Sequence, residues 1–150
     1  MGIVSEIQDA LKPIVESITG HTQLDYEYDI EANNERGQTD RFGVIPLGAS
    51  FAEGRAMGFT TMNHTFQVLL VSDFQNKDSD TAQNSKVMDL FERGQSLLKD
   101  LQKSRLSLPT PTNRVLLISG LSFEDPEFSG DNSTVALRMN FNIQYSYKNN

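Results

Sequence analysis

Residues 133–148 read STVALRMNFNIQYSYK, and apart from Ala136 the apolar side chains fall on every second position. Val135, Leu137, Met139, Phe141, Ile143, Tyr145 and Tyr147 leave one face of an extended chain. Arg138, Asn140, Asn142, Gln144, Ser146 and Lys148 leave the other. A period of two marks a strand buried on one side, because successive side chains exit opposite faces of the pleat. About fifteen residues at ~3.3 Å each span roughly 50 Å. A compact chain of this size has a radius of gyration of roughly 15 Å, hence a diameter of about 38 Å. Such a strand must bend or reach beyond its own domain. The second outcome belongs to proteins that join copies of themselves or a neighbour.

Working outward, Phe59 to Phe74 shows the same pattern, with Met62, His64, Phe66, Val68, Leu70 and Phe74 on one face. Before it, Arg41 to Phe51 is extended, and its Pro46 favours an edge position or a bulge. The stretch Ala52 to Gly58 between them supplies turn chemistry, so the two segments form a candidate hairpin arm. Leu24, Tyr26, Tyr28 and Ile30 alternate as an earlier strand, followed by a polar loop from Glu31 to Asp40.

Two helices complete the reading. Ile3, Ile7, Leu11, Ile14 and Ile18 recur at spacings of three and four, ending at Thr19-Gly20, where glycine can take the left-handed cap. Pro13 predicts a kink or a restart near Lys12. Asp80 with Gln83 makes a capping box. Val87, Leu90, Phe91, Gly94, Leu97, Leu98 and Leu101 then trace an apolar face to about Arg105, where a loop with Pro109 and Pro111 follows. Val115 to Phe123 is apolar at nearly every position and reads as a central strand covered on both faces. Glu124 to Asn132 is an acidic turn. The fold class is therefore α+β in the order α-β-β-β-α-β-β. We expect one mostly antiparallel sheet, two helices packed on one face, a long hairpin arm, and a single domain over 1–150.

Composition narrows the function. The chain has 150 residues, no cysteine and a formal net charge of −7. Disulfides and zinc-thiolate sites are excluded. The acidic balance argues against a general phosphate-backbone binder, whose affinity comes from clustered Lys and Arg. It suits a conduit through which nucleic acid slides without sticking. No apolar run approaches the ~20 residues of a membrane span, and the amino terminus does not read as a signal peptide.

Catalytic equipment is thin, and the expectation is a protein that is not an enzyme. Only His21 and His64 can titrate near neutrality as imidazoles. His21 reads as a solvated turn residue. His64 shares the face of Met62 and Phe66 and reads as a histidine satisfied by a neighbour. No nucleophile elbow, glycine-rich fingerprint or Walker-type sequence occurs. The acidic turn holds carboxylates suited to a hard cation, but not at EF-hand spacing. No catalytic residue, cofactor or metal ligand is assigned.

What remains are candidate interface residues. Arg36, Arg41 and Arg55 lie in or beside the expected hairpin tips. They could pair with Glu124, Asp125, Glu127 and Asp131 of a neighbouring subunit, the kind of complementarity that sets register. Phe51, Met57 and Phe59 around the second tip are large apolar groups in a turn, which suggests a surface that becomes covered. Asn140, Asn142 and Gln144 on the polar face of the last strand are candidate channel-facing residues; ordinary solvent exposure explains them equally well.

The amphipathic first helix, the hairpin carrying Arg41-Phe42-Gly43-Val44-Ile45-Pro46, the strand Thr61-Met62-Asn63-His64-Thr65-Phe66-Gln67-Val68-Leu69-Leu70, the second helix and the two closing strands together resemble the tail terminator (tail completion) proteins of tailed bacteriophages. That resemblance covers nearly the whole chain and rests mainly on the order of its elements. It implies a non-enzymatic virion protein at the tail–neck junction, assembled in the host cytoplasm. Such a protein forms a ring, usually of six copies, which caps the tail tube and ends its polymerisation. Its implied partners are itself, the tail tube protein and a head or neck connector, with DNA passing through unread. The alternatives are a neck or head-completion protein of the same virion, or a small ligand-binding or enzymatic α+β domain using His64.

Overall fold

The computed structural model describes residues 2–23, 40–52, 57–73, 80–103, 106–128 and 134–149, of which 80–83 as backbone only. Two helices, α1 (Ile3–Thr19) and α2 (Asp80–Lys103), accompany β1 (Thr22–Gln23), β2 (Asp40–Phe51), β3 (Phe59–Asp73), β4 (Arg114–Phe123), β5 (Glu127–Phe128) and β6 (Thr134–Lys148). The architecture is α+β, as the periodicity predicts. The strands form one sheet in the order β1-β2-β3-β6-β4, with β5 also on β6. Every pairing is antiparallel except β1 with β2.

The alternation of the last strand dictates its place. β6 lies at the centre, paired with β3 without a register break from Phe59–Lys148 to Asp73–Thr134. Each strand has 15 residues. The excess length is thus shared by a two-strand ribbon rather than carried by one projecting arm. Even the hairpin end is tied in, since the Asn149 amide donates to the Gly58 carbonyl at 2.8 Å. Asn149 also accepts a hydrogen bond from the Thr60 hydroxyl. Pro46 acts as expected: β2 breaks register between Pro46 and Ala49.

The apolar face of the ribbon forms the core. Phe66, Val68, Leu70, Leu137, Met139, Phe141 and Ile143 are buried against Ile7, Leu11 and Val15 of α1 and Leu90, Leu97 and Leu101 of α2. Burying side chains of this size stabilises the fold by about 1.5–3 kcal/mol each. Gly94 permits the close approach of α2 to β4, because a Cβ there would lie 2.7 Å from the Phe123 ring. Arg93 ties the two helices: it donates to the Thr19 carbonyl at 2.9 Å and pairs with Asp89 one turn earlier. A cation at that helix C-terminus meets the negative end of the dipole.

Several expectations are corrected. α1 runs unbroken through Pro13, so there is no restart at Lys12. Pro13 and Asp9 are both exposed, so the Asp9 carbonyl that loses its partner can be hydrated. The Gly20 cap holds, with φ of 74° and its amide donating to the Glu16 carbonyl. β4 is not a central strand covered on both faces. It pairs only with β6 among the described strands, and Leu116 and Leu117 are 51% and 56% exposed. A run of apolar residues records how much surface needs covering, not whether the same chain covers it. The strand expected over 24–30 and the capping contact of Asp80 with Gln83 lie outside what the structure describes.

Candidate functional site

The helices occupy one face of the sheet, and the functional candidates sit on the other. Along β3 that bare face presents Thr61, Asn63, Thr65, Gln67, Leu69 and Val71, the positions between the core residues. Along β6 it presents Ala136, Arg138, Asn140, Asn142, Gln144 and Ser146. Three zones follow one another down the ribbon.

At the upper end the bare face is closed. Leu69, Val71 and Ala136 form a small buried cluster. Beside it Arg41 is completely buried, its guanidinium donating to both carboxylate oxygens of Asp73 at 3.0 and 3.1 Å. The Thr134 hydroxyl adds a third bond to Asp73 at 3.1 Å. Arg41 is therefore not an interface residue at a hairpin tip. It lies at the opposite end of β2 from the β2–β3 turn, because its register partner is Val71. His21 is likewise not a solvated turn residue. It is fully buried, and its Nδ1–H donates to the Arg41 carbonyl at 2.9 Å, since a carbonyl can only accept. Burial pushes its pKa below the usual imidazole value.

In the middle zone charge is present but hydrogen-bonded in place, with one arginine against two glutamates. Gln67 donates to Glu124 and to Asn140, both at 2.9 Å, and accepts from Arg138 at 2.9 Å. Asn140 donates to the same Glu124 oxygen at 3.1 Å, and Arg138 meets Glu127 at 3.4 Å. Glu124 and Glu127, expected to face a neighbour, instead bond across their own sheet. Asp125 beside them is exposed. Among the described residues no three metal-ligating side chains converge. Arg36, Arg55 and Asp131 lie outside the described residues.

The lower zone is open and nearly free of charge. Gly48, Ala49, Ser50, Asn63, Thr65, Ser119 and Asn142 line a shallow groove of about 630 Å³. The Thr65 hydroxyl donates to the Asn142 amide oxygen at 3.0 Å, and Gln144 extends the row half-exposed. Charge returns only at the end, with Arg114 and Lys148, both exposed. Asn140, Asn142 and Gln144 are thus all on the bare face, though Asn140 is engaged with Glu124. Thr65, Asn63 and Ser119 are further members of the surface. The first two were legible as the polar complement of the Met62–Phe66 face; Ser119 was not, because nothing in its run distinguishes the two faces of β4. Phe51 and Met57 are exposed at the tip, 65% and 99%, while Phe59 is half-buried.

On the helix side, His64 is held at both nitrogens. Nε2–H donates to the Leu47 carbonyl at 2.8 Å, leaving Nδ1 to accept the Tyr145 hydroxyl at 2.9 Å. Phe66 packs against the ring, with centroids 4.7 Å apart. Both nitrogens are engaged, so the imidazole presents no lone pair to a substrate. The Tyr145 phenol is shifted upward by burial.

Glu6, which the sequence pattern does not single out, is another buried anchor. Its carboxylate accepts the Thr110 amide at 3.1 Å, the Thr110 hydroxyl at 2.5 Å and the Asn113 amide group at 2.5 Å. The Thr110 hydroxyl, followed by Asn113, holds its pKa below the usual carboxylate value. These bonds lock the proline loop over α1.

No family model matches this chain, and no curated protein matches it in sequence. No described helix is long and apolar enough to cross a membrane.

Proposed function

We propose that this chain is a structural virion protein that forms a closed ring, of about six copies by the resemblance described above. The ring caps the tail tube of a bacteriophage, ends its growth and joins it to the head or neck. The observation that carries this reading is the bare face of the long ribbon. It stays uncovered at its lower end although the opposite face is packed, and its exposed groups there are amides and hydroxyls beside Leu117. Over that stretch the surface hydrates well and offers no protein cation to displace DNA's condensed counterions, so contact there gains nothing from counterion release; Arg114 and Lys148 lie beyond it, at the end of the ribbon. Arg138 is paired with Glu127, and Glu124, held by the Gln67 and Asn140 amides, leaves the middle zone net negative, a field that repels rather than binds a polyanion. Asn142 and Gln144 then line the channel, with Asn140 above them. The partners are copies of the chain, the tail tube protein and a connector on the head side, at the tail–neck junction of the virion.

The experiment combines the purified chain with polymerising tail tube protein of the same virion and measures tube length by electron microscopy. Tubes shorten as the chain is added, and ring-shaped density sits at one end. Tubes of unchanged length with bare ends would refute the reading.

A further inference from the structure

We propose that Arg114 and Lys148, with the Thr61 and Ser146 hydroxyls between them, form a phosphate-binding site that holds the DNA backbone at one mouth of the ring. The inference rests on the ring reading and names where on the bare face DNA is gripped.

Register brings the four side chains together. Thr61, Ser146 and Arg114 form one row across β3, β6 and β4. Lys148 leaves the same face of β6 two residues beyond Ser146, so it is the diagonal neighbour of Arg114. Diagonal neighbours in a sheet sit roughly 7–8 Å apart, within reach of long side chains. Two cations at that spacing, with hydroxyl donors beside them, suit the oxygens of a phosphodiester. Such oxygens accept from Arg, Lys, Ser and Thr alike, and the contact carries no sequence information.

The donors are available. Arg114 and Lys148 are exposed, and Thr61 and Ser146 are half-exposed. Among the described residues, none of the four side chains forms an ion pair or a hydrogen bond. Arg138 shares the bare face but is already engaged by Gln67 and Glu127. The acids of the middle zone are too distant to cancel the pair. Asn140, which holds Glu124, stands six residues from Ser146 along β6, about 20 Å at ~3.3 Å per residue. That is more than twice the Debye length of ~8 Å at physiological ionic strength. In a closed ring every copy points the same way. The pair then repeats once per copy as a basic collar at one mouth, followed along the channel by a polar belt and an acidic one. DNA slides past the last two and is held at the first.

Rings of the chain, formed alone or on tail tubes, are titrated into a short fluorescent DNA duplex, and binding is read by fluorescence anisotropy at several salt concentrations. Parent rings should bind at low salt and release the duplex as salt rises. An Arg114→Gln, Lys148→Gln double variant should form the same rings and bind at least about tenfold more weakly, one decade in affinity. Its salt dependence should flatten as well, because each phosphate contact contributes about 0.9 to the fall of log affinity with log salt. Arg138→Gln, screened from the collar, should stay within about twofold of the parent. A double variant that binds like the parent, or parent rings that bind no duplex at low salt, would overturn the site and leave the ring reading standing. Loss of rings in the double variant would place the two cations in a subunit contact and overturn the site. A parent chain that stays monomeric, with and without tail tubes, would overturn both.

Discussion

The same two strands make both faces of the sheet, and the faces obey different rules. On the helix side, Phe141 is 1% exposed and sits among leucines, isoleucines and valines. One residue later Asn142 is exposed, and its partner is a single threonine hydroxyl. The first face is determined by packing: it must be apolar and close-fitting for the chain to fold at all. The second is under no such demand, and its lower zone has stayed polar, uncharged and open. A face that folding leaves unconstrained is where function can be written, so stability belongs to one side and the proposed assembly draws on the other.

Substitutions on adjacent residues break or sharpen this contrast. Phe141→Ala should destabilise the fold by about 3–5 kcal/mol, seen as a lower midpoint in chemical denaturation. Asn142→Ala should stay within about 0.5 kcal/mol of the parent. Comparable losses at both positions would show that the bare face is also part of the fold. The upper zone is the exception that tests the rule, because there the bare side is closed by a buried charge. Asp73→Ala should cost about 3 kcal/mol, since Arg41 would be left in the interior without its carboxylate. His64→Ala, which frees the Leu47 carbonyl and the Tyr145 hydroxyl from their shared partner, should cost about 1–3 kcal/mol.

A further effect is a dependence on pH. His21 is held neutral by burial, with its folded pKa below the ordinary 6.5. The unfolded chain then takes up a proton more readily, so this contribution is complete above about 6.5 and declines as pH falls through the lowered folded value. Glu6, lowered from 4.5 by Thr110 and Asn113, adds a second decline in the same direction at more acid pH. His21→Gln should flatten the first decline and leave the second. Denaturation midpoints measured between about pH 8 and about pH 3 would show a single acid limb in the variant against two in the parent.

The fold was legible where one face alone decides a pattern. The alternation in β3 and β6, the amphipathic faces of both helices, the Gly20 cap and the break at Pro46 were all readable, because each follows from local geometry. Reading failed where the answer depends on a distant partner. Arg41 looks like any surface charge until Asp73, brought alongside by the β2–β3 pairing, supplies both oxygens. His21 looks like a turn residue until the Arg41 carbonyl meets it. Val115 to Phe123 looks like a central strand because a sequence cannot distinguish a strand covered by its own chain from one with an open edge. The candidate surface was half legible: Asn140, Asn142 and Gln144 follow from the last strand, whereas the intramolecular roles of Glu124 and Glu127 do not.

The central claim is the proposal that the open face belongs to a closed assembly. Electron microscopy of the purified chain, alone and on tail tubes, tests it most directly. The account predicts closed rings of one copy number, with a central opening and the helices outermost. Monomers under both conditions, or open filaments that never close, would contradict it.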